Sequence, residues 1–141
     1  EYIEEPLKFP LEKDYTQLKN SIQFPIALDE SIIDGSYKHL IDLNLIDYAI
    51  LKPALFGGIK KINQLNLYLK KYKVRLIISS SLQEKIGNFA EINLASSLEL
   101  SSQHGLNNYA FFDNKYDVPY NKNDLSINLD RLVGLGVCWN D

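Results

Sequence analysis

The chain has 141 residues, of which 45% are hydrophobic and 23% charged, a composition typical of a folded globular protein rather than a disordered one. Its net charge of -3 argues against a nucleic-acid-binding surface, and no apolar run approaches the roughly 20 residues that span a membrane. The single cysteine, Cys138, excludes an internal disulfide and a multi-cysteine metal site and is compatible with the cytoplasm, where we expect the protein to act.

Short apolar runs divide the chain into regular intervals. Residues 2–4 read as the end of one strand, and residues 24–29, 48–52 and 74–79 as three further strands. Nearly continuous apolar runs of this length are typical of parallel strands that are buried on both faces.

Amphipathic stretches fill the intervals between these runs. Strands that alternate with helices predict βαβ units, a parallel sheet and the α/β class. Apolar residues at three- and four-residue spacing predict four helices, around Leu11, Tyr15 and Leu18, around Tyr37, Leu40 and Ile41, around Ile59, Ile62, Leu65 and Leu69, and around Ile86, Phe89, Ala90, Leu94 and Leu98.

A polar or small residue stands where each strand run ends: Glu4, Asp29, Lys52, Ser79 and then Gly105. Successive members are about 25 residues apart, the length of one βα unit of a TIM-type barrel, whose functional groups come from the carboxyl ends of many strands. A doubly wound sheet typically uses one switch point instead, and the chain has no Gly-x-Gly-x-x-Gly run. The spacing therefore favours a (β/α) barrel, of which a chain this long supplies about half.

Three of these residues have the chemistry of a metal-assisted enzyme. Glu4 and Asp29 are hard oxygen donors of the kind that magnesium prefers. The metal would stabilise a substrate carboxylate as it loses an α-proton, and Lys52 would act as a base or as a cation facing the developing charge. The alternative is structural, because charged residues at strand ends also pair with each other and cap helices.

Five short motifs occur in an order that resembles a known family. They are Glu-Glu-Pro-Leu at 4–7, Ala-Leu-Asp-Glu-Ser at 27–31, Lys-Pro-Ala-Leu-Phe-Gly-Gly at 52–58, Ser-Ser-Ser-Leu at 79–82 and His-Gly-Leu at 104–106. From residue 4 to about 137 the chain resembles the second half of the muconate-lactonising subgroup of the enolase superfamily. It is most similar there to the o-succinylbenzoate synthases of menaquinone biosynthesis, although Gln83 stands where those enzymes usually carry glutamate.

The resemblance implies a reaction and a role for each residue. The reaction is a magnesium-dependent syn dehydration of a cyclohexadiene carboxylate to 2-succinylbenzoate through an enediolate, with manganese as an alternative metal. Glu4 and Asp29 would be metal ligands, and Lys52 would stabilise the enediolate by its charge. The substrate-binding residues would be Ser79, Ser80, Gly105 and Leu106.

The resemblance also implies that residues 1–141 form only part of a C-terminal barrel domain. The family's proton-abstracting Lys-x-Lys strand, its first metal-ligand aspartate and its N-terminal capping domain would lie upstream of residue 1. Because the chain has no methionine, we expect it to be trimmed or to be a piece of a larger protein. Because the base, one metal ligand and the capping domain would lie upstream, we expect the chain to be inactive alone.

Several functions remain open at this point. N-succinylamino-acid racemases, dipeptide epimerases and muconate cycloisomerases use the same scaffold and lysine. The chain could instead be a non-catalytic half-barrel that pairs with a second copy or with the missing half, or an unrelated α/β binding module. For the enzyme we expect a small carboxylate substrate, and neither a nucleic acid nor a membrane as partner.

Overall fold

The computed structural model describes residues 2–9, 11–98, 100, 103–107, 120–121, 126–131 and 134–135; Cys138 lies outside these ranges. No helix within them is long and apolar enough to cross a membrane. In chain order the elements are β1 (Ile3–Glu4), α1 (Glu12–Ser21), β2 (Ile26–Leu28), α2 (Glu30–Asp34), α3 (Lys38–Asp42), β3 (Tyr48–Leu51), α4 (Pro53–Phe56), α5 (Ile59–Lys71), β4 (Arg75–Ile78), α6 (Lys85–Ser97), β5 (Tyr120–Asn121), β6 (Ser126–Ile127) and a 3-10 turn (Leu129–Arg131).

The first four strands form one parallel sheet in the order β1-β2-β3-β4. An isolated parallel bridge between Ser79 and Gly105 continues the sheet beyond β4. Each strand pairs with the next one along the chain, so the strand order does not reverse as it does in a doubly wound sheet. The predicted α/β class and partial barrel are therefore confirmed.

The sheet is buried on the face that the helices cover. Ile26, Leu28, Leu51 and Ile78 are fully buried there, packed with side chains of the helices such as Leu69 of α5. This cluster is the main hydrophobic core. The lysines of α5 point away from it and are exposed, as its amphipathic pattern predicts.

The opposite face is the concave, inward face of the partial barrel. Ala27, Ile50 and Ile77 form a small second cluster there, with Tyr48 packed against it. At the amino-terminal end of the strands the Arg75 guanidinium lies 4.1 Å from the centre of the Tyr48 ring, and the centre of the tilted Tyr2 ring lies 5.0 Å from that centre. Side chains two residues apart along a strand point to the same face. Strand-end residues in step with this inward cluster therefore also point inward.

The structure differs from the sequence prediction in three details. The strands are one to three residues shorter than predicted, and β2 begins only after Pro25, which has no N–H for the ladder. The interval around Leu40 contains two short helices because α2 ends at Gly35, whose φ of 83° is left-handed. An antiparallel pair, β5 with β6, was not predicted.

β1 is at one edge of the sheet, and its neighbouring side chains Tyr2 and Ile3 are more than one-third exposed. Within the described ranges no strand pairs with its outer edge. Covering of this edge by the rest of the barrel or by a second copy stays a prediction.

Candidate active site at the strand ends

The strand ends place Glu4, Asp29 and Lys52 on the inward face. Glu4 is the last residue of β1, while Asp29 and Lys52 directly follow β2 and β3. Glu4 is in register with Ala27, and Asp29 lies two residues beyond Ala27 on the same face. Lys52 lies two residues beyond Ile50, another member of the inward cluster. The pleat of the sheet thus brings the three predicted residues to one edge of the concave face.

Asp29 and Lys52 form an ion pair at this edge. Lys52 Nζ contacts Asp29 Oδ2, and the aspartate side chain is 3% exposed while the lysine side chain is 24% exposed. Asp29 Oδ1 is buried and has no hydrogen-bond partner within the described ranges. A buried carboxylate oxygen without a partner is costly, so this oxygen is available to a ligand.

Glu4 is the second carboxylate of the site. Burial raises the pKa of Glu4, and the adjacent charge of Asp29 raises it further, while the charge of Lys52 opposes part of this effect. Two carboxylates with a free buried oxygen fit a hard divalent cation, which would relieve their mutual repulsion. They do not complete a metal site, because the described residues contain no group of three or more His, Cys, Asp or Glu that could hold a metal.

Lys52 is held at the start of a short helix. Pro53 occupies the first position of α4, and Gly57 ends the helix with a φ of 95°, so the Lys-Pro-Ala-Leu-Phe-Gly-Gly run is one compact turn after β3. Burial lowers the pKa of Lys52, but the hydrogen bond and charge of Asp29 and the charges of Glu30 and Glu4 outweigh it and raise the pKa overall. In this arrangement the lysine is an ammonium group.

Glu5 supports the site, although the sequence analysis did not single it out. Its Oε2 accepts the Asp29 N–H at 2.8 Å, and its Oε1 accepts the Ser31 hydroxyl. A positive φ of 37°, uncommon for a residue other than glycine, turns Glu5 out of β1. The signal in the sequence was the second glutamate of the Glu-Glu-Pro motif, whose hydrogen bonds join segments far apart in the chain.

Ser79 and Gly105 line a cavity of about 580 Å³ on the inward face, together with Glu4, Arg75 and His104. The backbone groups of both residues already form hydrogen bonds within the sheet. The Gly105 N–H donates to Ile78 O at 2.9 Å, and the Gly105 carbonyl accepts the Ser80 N–H at 2.9 Å. Gly105 therefore contributes space rather than a free N–H, since an added Cβ would lie 3.0 Å from Ser79 Oγ.

Leu106 and Ser80 are placed differently from Ser79. The Leu106 side chain is 6% exposed and packs in the main core, while its carbonyl accepts the Asn88 side-chain amide at 2.9 Å. The Ser80 hydroxyl accepts the Gln83 N–H at 3.4 Å. Neither residue lines the inward cavity, so the structure brings only Ser79 and Gly105 of the four predicted substrate-binding residues to it.

Glu91 is a buried acid that the sequence analysis missed. It lies in α6 and is 3% exposed. Burial raises the pKa of Glu91, and the Ser80 hydroxyl and Ser81 N–H, which favour the ionised form, offset only part of this effect. Neither carboxylate oxygen makes a hydrogen bond of good geometry within the described ranges. The helical pattern of the sequence did not predict that Glu91 is buried, because the surface that its side chain faces is formed by the turn after β4.

A family comparison agrees with this architecture. The family model described as enolase C-terminal domain-like matches residues 1–141. The chain belongs to this family. Membership in the enolase superfamily, expected from the five motifs, is thereby confirmed. No curated protein matches closely enough to add to the comparison.

Solved enolases share the fold of this enolase-family chain. An enolase from Pseudomonas fluorescens Pf0-1, solved with bound magnesium, potassium and tartrate, is 15% identical, with a TM-score of 0.62 over 72% of this chain and 24% of that one. An enolase from Pantoea ananatis, solved with bound D-gluconate and magnesium, is 25% identical, with a TM-score of 0.57 over 73% of this chain and 24% of that one. The chain thus spans about a quarter of the length of these structures.

Proposed function

We propose that this chain contributes the carboxyl-terminal strand ends of an o-succinylbenzoate synthase-like lyase, which dehydrates a cyclohexadiene carboxylate to 2-succinylbenzoate. The observation that carries the proposal is the meeting of Glu4, Asp29 and Lys52 on one inward edge, with Asp29 Oδ1 lacking a hydrogen-bond partner among the described residues. Because the chain covers 24% of the solved enolases, the proposed activity belongs to the full-length protein.

Glu4 and Asp29 would hold a divalent cation, magnesium in the first instance. The solved relatives carry bound magnesium, and the two carboxylates here offer the hard oxygen donors that it requires. When bound, the cation supplies positive charge beside the carboxylate of the substrate.

Three side chains of this chain would assist the reaction directly or by positioning other groups. Lys52 contacts Asp29 and faces the same edge, so its ammonium group can stabilise negative charge that develops on the substrate carboxylate as a proton leaves. Glu5 holds the Asp29 backbone in place through its N–H. Ser79, on the neighbouring strand, presents its hydroxyl to the cavity in which the rest of the substrate would lie.

The choice of the synthase over its relatives rests on sequence. The serine run at 79–82 and the His-Gly-Leu run at 104–106 resemble the synthases, and dipeptide epimerases usually carry an Asp-x-Asp motif on that last strand, which this chain lacks. Among the described residues, the groups that line the cavity beside Gly105 include the Ser79 hydroxyl and the His104 imidazole, which supports this choice.

The decisive experiment is a substrate panel on the full-length protein with magnesium. We expect loss of the cyclohexadiene absorbance and no racemisation of N-succinylamino acids or epimerisation of dipeptides. Activity only on the latter substrates would place the protein elsewhere in the superfamily. No activity on any of them, with or without added magnesium or manganese, would favour a non-catalytic barrel.

A further inference from the structure

His104 stands beside the strand end at which Gly105 was predicted to bind substrate. The Gly105 N–H is already donated to Ile78 O, and the Ser80 N–H to Gly105 O. The Ser79 N–H is donated to Leu51 O. The N–H groups of Ser79, Ser80 and Gly105 are therefore all used within the sheet, so a side-chain donor at this bridge would supply what these three N–H groups cannot.

The hydrogen bond of His104 determines which of its ring nitrogens carries a proton. The Ile78 N–H donates to His104 Nδ1 at 3.2 Å, so the imidazole replaces the main-chain acceptor that the next strand would have supplied. A nitrogen that accepts a hydrogen bond is unprotonated, and a neutral imidazole then carries its proton on Nε2. Burial also lowers the pKa of His104, which keeps the ring neutral.

The Nε2–H group is available for binding. His104 lines the 580 Å³ inward cavity beside Ser79 and Gly105. Nε2 forms no hydrogen bond within the described ranges and is not among the buried polar atoms that lack a partner, so it is accessible to solvent. Arg75 lines the same cavity and has no ion-pair partner among the described residues, which adds positive potential.

We propose that the Nε2–H of His104 donates a hydrogen bond to a carboxylate oxygen of the substrate that is remote from the reacting carbon, with the Ser79 hydroxyl as a second donor. The inference rests on the proposed function, because a succinyl-bearing substrate has such a second carboxylate. Its chemical requirement is only an anionic oxygen within reach of Nε2. His104 is then a substrate-binding residue that acts on specificity and not on proton transfer.

Two substitutions in the full-length protein separate binding from structure. In His104→Asn the side-chain oxygen can still accept the Ile78 N–H, whereas the Nε2–H is lost. In His104→Gln the amide N–H reaches towards the Nε2 position, whereas the acceptor for Ile78 is lost. The first variant tests the substrate contact and the second tests the sheet contact.

We expect His104→Asn to melt near the wild-type temperature and to raise KM for the cyclohexadiene substrate by roughly 10- to 100-fold, the factor that one hydrogen bond to a charged group provides. Its kcat should change by less than about 3-fold, because a contact remote from the reacting carbon binds ground and transition states alike. His104→Gln should melt lower and retain a KM closer to wild type. A wild-type KM in His104→Asn would overturn the inference and leave the imidazole with a structural role alone.

A nuclear magnetic resonance titration makes the inference testable without turnover. Nitrogen-15 shifts of the full-length protein should show the Nε2–H tautomer of His104, and succinate added with magnesium should move the Nε2 resonance. If no substrate is turned over but the resonance responds to succinate, the proposed function fails and the inference stands. The inference fails if the substrate is turned over but succinate does not move the Nε2 resonance and His104→Asn does not change KM. It also fails if the proton is on Nδ1.

Discussion

Lys52 forms an ion pair with only one of the two carboxylate oxygens of Asp29. The lysine ammonium contacts Oδ2, while Oδ1 is buried without a hydrogen-bond partner among the described residues. A structural ion pair would normally satisfy both oxygens of so buried a carboxylate. The free oxygen is the feature on which the proposed metal site rests, and a purely structural ion pair would not require it.

Replacement of Asp29 should weaken cation binding. We expect Asp29→Asn in the full-length protein to weaken magnesium affinity by at least about 10-fold, since losing a ligand should cost no less than the loss of an outer-shell partner. Isothermal titration calorimetry measures the change. Asp34→Asn is the matched control, because Asp34 is exposed and its interaction with Ser36 requires only an acceptor oxygen. Equal magnesium affinity in both variants would contradict the assignment of Asp29.

Loss of the Lys52 charge should slow the chemical step. Lys52→Ala removes the group that faces the carboxylate edge, and we expect kcat to fall by about 10²- to 10³-fold, as for other preorganised electrostatic groups. Lys60→Ala, on the exposed side of α5, is the control and should keep the wild-type rate. Steady-state kinetics on the cyclohexadiene substrate check both variants, and a Lys52→Ala enzyme with wild-type kcat would exclude the proposed role.

Glu5 should act through the position of Asp29. In Glu5→Ala the Asp29 N–H and the Ser31 hydroxyl lose their acceptor, and we expect a loss of unfolding free energy of roughly 1–3 kcal/mol together with weaker magnesium binding. Glu12→Ala, an exposed change in α1, should alter neither quantity by a comparable amount. Chemical denaturation and calorimetry measure the two effects; a loss of stability with unchanged magnesium affinity would limit Glu5 to a structural role.

Glu91 should make stability depend on pH. Because burial raises its pKa in the folded state, its contribution to stability is complete below the unfolded pKa and is lost as pH rises through the folded pKa. We therefore expect Glu91→Gln to be more stable than wild type at pH 7, by roughly 1 kcal/mol if one poorly paired buried charge is removed, and to lose this advantage near pH 4.

Thermal unfolding of wild type and Glu91→Gln between pH 4 and 7 tests this prediction. Glu84→Gln, an exposed change just before α6, serves as the control and should not produce the same pH-dependent difference. A Glu91→Gln advantage that is constant across this range would show that packing, and not ionisation, accounts for the effect.

The sequence by itself determined the class of fold and the residues that meet at the strand ends. Apolar runs about one βα unit apart predict successive parallel strands, and the two-residue period of a strand turns Glu4, Asp29 and Lys52 to the same inward face. These features depend on local spacing alone, and the motifs around them are contiguous in the chain.

Only the tertiary structure decided how each group is placed and hydrogen-bonded. Four features depend on the contacts between segments far apart in the chain: the free oxygen of Asp29, the hydrogen bonds of Glu5, the hydrogen bond of the Gly105 N–H, and the hydrogen bond that His104 Nδ1 accepts. Such bonds follow from strand register and from which turn covers which helix, and no local pattern of residue types encodes them. The burial of Leu106 in the core has the same cause, because the bridge between Ser79 and Gly105 sets the direction in which the next side chain points.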